Sequence, residues 1–282
     1  MNAILSARSI VKSFGGRRWF GAANDKRAVD GVDLDVNEGE TLAIVGESGS
    51  GKSTLARILL GLIKPTSGEV AYQGRPVDAF ASADWMTFRK AVQPIFQDPA
   101  SSLNPRMRVD TTLANVLRRH KLATRDRFEA EITDLLASVG LDAAEFHDRY
   151  PHQLSGGQQQ RIAIARAMAM RPRLIIADEP LSSLDMSVQA QILDLLVSLK
   201  ASRNLGLVLI SHDLNVVDAI SDRVMVLYQG RIVEAGPTHQ VLGSPASDYT
   251  RSLLAAKLVA EPHIARTRRL AMDAALAPAP IS

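Results

Sequence analysis

The 282-residue chain reads as an α/β protein in which helices cover both faces of a parallel sheet. Two patterns carry this reading. Short apolar runs bounded by turn residues alternate with longer segments of helical periodicity. One stretch, from about 98 to 172, holds helical patterns and no clear strand, which places a helical subdomain between two halves of an α/β core.

Along the chain, residues 40–46 (ETLAIVG) form a short buried strand leading into a Gly-rich turn. KSTLARILLGL follows as a helix with Leu55, Ile58, Leu59 and Leu62 on one face. TTLANVLRRHKL, FEAEITDLLASVG and QQQRIAIARAMAM supply the inserted helices. The core resumes with a buried strand at 173–178 (RLIIAD), then a helix carrying Val188, Ile192, Leu195, Leu196 and Leu199 at helical spacing. A third strand at 205–212 (LGLVLISH), the helix LNVVDAISD and a hairpin, RVMVLYQG with RIVEAG meeting at Gly230, complete it. Residues 1–245 are assigned to one domain and 246–282 to an extension. The tail from about 262 loses its periodicity, ends in Ala-Pro and is expected to be mobile.

Hydrophobic residues make up 46% and charged ones 22%, enough apolar material for a full core. The formal charge of 33 − 30 = +3 gives no case for nucleic acid as a partner, which would need a concentrated basic face. With no cysteine, disulfides, zinc–thiolate sites and iron–sulfur clusters are excluded. No uncharged apolar run approaches the roughly 18–20 residues that cross a bilayer. The N-terminus also lacks a secretory signal, so the expected location is cytoplasmic.

The chemistry begins at GESGSGKST, residues 46–54. Gly46, Gly51, Lys52 and Ser53 match G-x-x-x-x-G-K-[ST] between a strand and a helix, the P-loop pattern. Backbone N–H groups of Gly46, Glu47, Ser48, Gly49, Ser50, Gly51 and Thr54 can close around phosphates. Lys52 neutralises the β/γ oxygens and Ser53 offers its hydroxyl to Mg²⁺. Asp178 ends a buried strand where it can hold Mg²⁺ through water, and the adjacent Glu179 can orient or deprotonate the attacking water. Gln97 can reach metal or water and His212 the γ-phosphate, although either residue alone at a strand end is more often a satisfied loop side chain, and the whole constellation is what singles them out.

A second Gly-rich turn, LSGGQ at 154–158, has no lysine and no metal ligand. Ser155 can cap the helix that starts near Gly157, leaving N–H groups free for an anion. Such a half-site can only complete a phosphate site built elsewhere. Two chains head to tail, each lending its turn to the other's P-loop, are the simplest arrangement.

In this order the P-loop, LSGGQ, DEP (178–180), SSLD (182–185) and His212 resemble the nucleotide-binding subunit of ATP-binding-cassette (ABC) transporters, over about residues 4 to 256. IFQDPASSLNPRM (95–107), SSLDMSVQAQIL (182–193) and SDYTRSLLAA (247–256) resemble the importer ATPases for oligopeptides, dipeptides and nickel. The resemblance implies a P-loop NTPase (RecA-like) core with an N-terminal antiparallel β part and an inserted α-helical subdomain. It also implies ATP and Mg²⁺ as cofactors, with Gln97 contacting the metal and linking the cleft to the membrane subunits. Asp185 would sit at the dimer interface, His212 would be the switch histidine, and Ser155, Gly156, Gly157 and Gln158 would touch the nucleotide of the other subunit. Phe14 would stack on adenine, with Trp19 and Phe20 as rivals.

The partners implied are two multispanning permease subunits, a second ABC ATPase (identical or homologous) and, indirectly, a solute-binding protein. All would meet at the cytoplasmic face of the inner membrane. The chain departs from the importers in having no C-terminal cysteine cluster, and in Ser183 where alanine is more usual. The alternative function is a soluble accessory ATPase of a phosphonate-type metabolic or nucleic-acid complex. DNA-repair relatives usually place long insertions between the two nucleotide motifs, whereas Lys52 and Asp178 are only 178 − 52 = 126 positions apart. A P-loop kinase would leave LSGGQ unexplained. Arg266, Arg268 and Arg269 read either as a solvated cluster or as contacts to anionic lipid.

Overall fold

The computed structural model describes residues 3–15 and 27–260. Trp19, Phe20, the three tail arginines and everything else beyond residue 260 lie outside them.

The first half of the described chain runs β1 (Leu5–Ser13), β2 (Arg27–Val36), β3 (Thr41–Val45), α1 (Lys52–Leu59), β4 (Ser67–Tyr72), β5 (Arg75–Pro76), α2 (Ser82–Ala91) and β6 (Val92–Ile95). Five helices follow: α3 (Pro99–Ser102), α4 (Val109–Arg119), α5 (Phe128–Ser138), α6 (Ala143–Phe146) and α7 (Gly156–Met168). Then come β7 (Leu174–Asp178), α8 (Met186–Arg203), β8 (Gly206–Ile210), α9 (Leu214–Ile220), β9 (Arg223–Tyr228) and β10 (Arg231–Pro237). Two helices, α10 (Thr238–Gly243) and α11 (Asp248–Ala260), close the described residues.

Among the described residues the strands form two sheets. One is antiparallel, in the order β2-β1-β4-β5; the other runs β10-β9-β3-β8-β7-β6. In the second, β9, β3, β8, β7 and β6 are parallel and only the β9–β10 hairpin is antiparallel. The central strands are continuous apolar runs because both of their faces are covered. Successive side chains point to opposite faces, and the packing follows that alternation. Leu207 and Leu209 of β8 join the core beneath α4, α5, α7 and α8, whereas Val208 and Ile210 join the core shared with α1 and the antiparallel sheet. Similarly, Leu42 and Ile44 of β3 face that second core, while Ala43 and Val45 face a third one built with α9, α10 and α11.

The helix expected after the Gly-rich turn ends earlier than its apolar pattern implies. Leu55, Ile58 and Leu59 are buried, but α1 stops at Leu59, and Leu62, expected on the same face, is 57% exposed. The chain turns at Gly61, whose φ of +65° breaks the helix. A β-carbon there would meet the Trp85 ring at 2.7 Å.

Trp85 belongs to an aromatic joint between α2 and the antiparallel sheet. Phe88, 1% exposed, takes edge-on contacts from Tyr72 at 5.5 Å, Trp85 at 5.7 Å and Phe80 at 6.1 Å. Phe88→Ala is expected to cost about 3–5 kcal/mol of unfolding free energy. Urea denaturation followed by tryptophan fluorescence measures this, and a loss below 1 kcal/mol, the range of ordinary surface changes, would contradict it.

Candidate active site

The loop 46–54 leaves the tip of β3 and ends in α1, so its N–H groups gather at a helix N-terminus where the dipole is positive. Two of its glycines are required by close approach. Gly46 has φ +150° and Gly51 φ +111°; a β-carbon on them would stand 2.1 Å from Leu227 O and 2.0 Å from Ala28 O respectively. The loop is also tied from behind, since Gly230 N donates to Ser50 O at 2.8 Å.

Lys52, only 5% exposed, folds its ammonium back over the loop and donates to Gly46 O at 2.7 Å and Glu47 O at 2.8 Å. Burial lowers its pKa, opposed by the carboxylates of Glu179, Asp178 and Glu47. Asp178, at the end of β7, accepts a hydrogen bond from the Ser53 hydroxyl at 3.0 Å. Burial raises its carboxyl above the ordinary range, and the Ser53 hydrogen bond only partly offsets that.

Glu179 follows in the left-handed region at φ +48°, a costly conformation for a side chain with a β-carbon. Two backbone bonds hold it there: its N–H donates to Ile210 O, and its carbonyl accepts from Ser182 N. This aims the carboxylate at His212, whose Nδ1 lies 3.4 Å from Glu179 Oε2.

A cavity of about 360 Å³ is lined by Ala28, Ser48, Gly49, Gly51, Lys52, Ser53, Thr54, Gln97 and Glu179. The structure thus brings the P-loop, Gln97, Asp178, Glu179 and His212 together. Gln97 itself lies two residues past the end of β6, not on it. Its carbonyl accepts from the Ser183 hydroxyl at 3.4 Å, so the serine that stands where alanine was expected fastens the 182–185 turn to the Gln97 loop.

Three expected residues or groups stand apart from the cavity. Phe14 is 62% exposed, with Lys12 Nζ 5.4 Å from its ring centre. Asp185 caps α8, accepting from Val188 N at 3.0 Å and the Ser187 hydroxyl at 2.8 Å, which lowers its pKa. Ser155 and Gln158 form a reciprocal cap on α7, side chain to backbone in each direction, so that helix starts one residue before Gly157. Gly157 is there for packing, since a β-carbon would meet Val188 Cγ1 at 2.4 Å. None of residues 155–158 lines the cavity.

The residues that sequence reasoning missed are backbone partners: Ala28 and Leu227, which press on the loop, and Tyr249, whose hydroxyl accepts from Glu47 N at 3.3 Å. The two carbonyl contacts carry no side-chain signature, and Tyr249 is 202 positions away from Glu47. Ser50 Oγ is buried inside the loop with no hydrogen-bond partner among the described residues. Ser53 Oγ and Asp178 Oδ1 are adjacent hard oxygen donors of the kind Mg²⁺ prefers.

This fold and site define a P-loop nucleotide hydrolase. The chain belongs to the ABC transporter family, whose pattern matches residues 29–182. It is 41% identical to the oligopeptide transport ATP-binding protein OppF of Salmonella typhimurium, covering 100% of this chain and 88% of that protein. It is 44% identical to the dipeptide transport ATP-binding protein DppF of Haemophilus influenzae over 88% and 76% of the two. The ATP-binding cassette MJ0796, solved as a dimer in a post-hydrolysis state with ADP and Pi, superposes with a TM-score of 0.72 at 29% identity, covering 83% of this chain and 98% of that one.

Asp178 gives a pH signature. Its folded pKa is raised above 3.8, so the folded protein holds that proton to higher pH than the unfolded chain does. Stability from this group is therefore lost as pH climbs from 3.8 through the raised value. Asp178→Asn is expected to raise the Tm of the nucleotide-free protein at pH 7 and to flatten its decline across that window. Scanning calorimetry checks it, and a lower Tm at pH 7 would count against the burial argument.

Proposed function

We propose that the chain is the ATP-hydrolysing motor of an importer for peptides or related small solutes. In this reading two cassettes close on ATP beneath two multispanning permease subunits, at the cytoplasmic face of the inner membrane, with a solute-binding protein acting upstream. The observation that carries it is the incomplete cavity: P-loop, Gln97 and Glu179 line one side, while the 155–158 turn of the same chain is absent from the lining. A phosphate held only on the P-loop side would face open water, which screens the loop's charges and offers no fixed donors for the charge that develops in the transition state. A second cassette would supply the missing wall through its own Ser155, Gly156, Gly157 and Gln158, with Asp185 at the junction. Among the described residues no helix is long and apolar enough to cross a membrane, so membrane attachment would come through the permease. The names of the oligopeptide and dipeptide relatives support the solute class.

Within the site each residue has a task. Loop N–H groups and the Lys52 ammonium bind and orient the β- and γ-phosphates of ATP. Ser53, Asp178 and Gln97 would hold Mg²⁺, which when bound neutralises phosphate charge. Glu179 accepts a proton from the attacking water, and its left-handed backbone with His212 alongside keeps the carboxylate oriented. Phe14 is assigned to adenine, a role that its exposure leaves sterically open.

Glu179→Gln keeps the shape of the base and removes its basicity. ATPase turnover is expected to fall about 10²–10⁴-fold while ATP binding is retained and a closed dimer accumulates. Phosphate release assays together with size-exclusion chromatography in ATP read this out. Near-normal turnover would remove Glu179 from its role.

A further inference from the structure

The C-terminal helix α11 reaches back to the nucleotide loop. We propose that Tyr249 is a positioning residue of the phosphate site, orienting Lys52 through the peptide that joins Gly46 to Glu47. This inference rests on the nucleotide-binding reading of the loop and adds the helix beyond the hairpin to it.

The geometry is a grip at both ends of one peptide plane. Tyr249 Oη accepts the N–H of Glu47 at 3.3 Å. On the other end of the same planar unit, Gly46 O accepts from Lys52 Nζ at 2.7 Å. Turning this plane about its flanking bonds moves the N–H and the C=O together, so the phenol fixes the direction of the carbonyl on which the lysine rests. The anchor beneath Tyr249 is firm. Its ring lies on Tyr228 with centroids 4.2 Å apart, and Leu254 of the same helix is buried against the core that also holds Ala43 and Val45 of β3. Glu234 of β10 fastens the start of the helix, accepting from Ala246 N at 2.7 Å and Ser247 N at 3.1 Å. Tyr228 ends β9, immediately before the turn whose Gly230 N–H binds Ser50 O. Thus the loop is held at Glu47 and at Ser50 from one edge of the sheet. Burial raises the Tyr249 phenol above its ordinary value, which keeps the hydroxyl protonated near neutral pH.

Tyr249→Phe removes the acceptor and keeps the ring. In the full-length chain it is expected to weaken ATP and ADP binding about three- to tenfold, the size of one lost hydrogen bond, with Tm within a degree or so of wild type. Titration calorimetry with each nucleotide, paired with scanning calorimetry of the apo protein, separates positioning from plain stability. Affinities within twofold of wild type would overturn the inference, as would a loss of affinity that merely tracks a fall in Tm. Wild-type protein that binds neither nucleotide would overturn the nucleotide reading itself, and this inference with it; binding by wild type with no change in Y249F overturns this inference alone.

Discussion

Two carbonyl oxygens, Leu227 O and Ala28 O, press so closely on the phosphate loop that no β-carbon fits at Gly46 or Gly51. One comes from the parallel sheet and the other from the antiparallel sheet, so the loop is seated in the seam between them. Gly230 completes the seam: its N–H binds Ser50 O while its carbonyl accepts from Asp30 N, both at 2.8 Å. The shape of the cradle therefore depends on the packing of two sheets, not on the loop alone. The N-terminal sheet, whose strands β2 and β4 flank the loop along the chain, is thereby tied to the chemistry.

On this seat the charges are arranged at a cost to the fold. Lys52 and Asp178 are buried, and burial pushes both toward their neutral forms. Glu179 is held in a strained backbone region by bonds to Ile210 and Ser182. An anion at the loop would offset the desolvation of the Lys52 ammonium, and a cation beside Asp178 would do the same for its carboxylate. The Gly-rich N-terminus of α7 does not line this cavity, which is the observation behind the proposed pairing of two cassettes.

Much of this architecture was legible in the residues. The apolar runs of β3, β7 and β8 mark strands covered on both faces, and the loop 46–54 declares its chemistry through lysine and serine at fixed spacing. Legibility failed where backbone decided. Leu62 fits the helical period of α1 but falls beyond a turn that Gly61 imposes. The reciprocal Ser155–Gln158 cap was half visible as a capping serine, whereas the packing demand of Val188 on Gly157 was not. Ser183, where alanine is more usual, carries no role legible in the sequence and is hydrogen-bonded to the Gln97 loop. Tyr249 lies 202 positions from its partner in the loop, a separation that no local pattern reveals.

In the proposed dimer a working site takes its P-loop from one cassette and its 155–158 turn from the other, which a complementation assay checks. Lys52→Ala disables the P-loop and Ser155→Arg blocks the turn; each variant alone should hydrolyse ATP no faster than background. Mixed together, they should regain activity, because a mixed pair holds one intact P-loop facing one intact turn. Wild-type turnover by Ser155→Arg alone would contradict the account, since each chain would then need nothing from its neighbour.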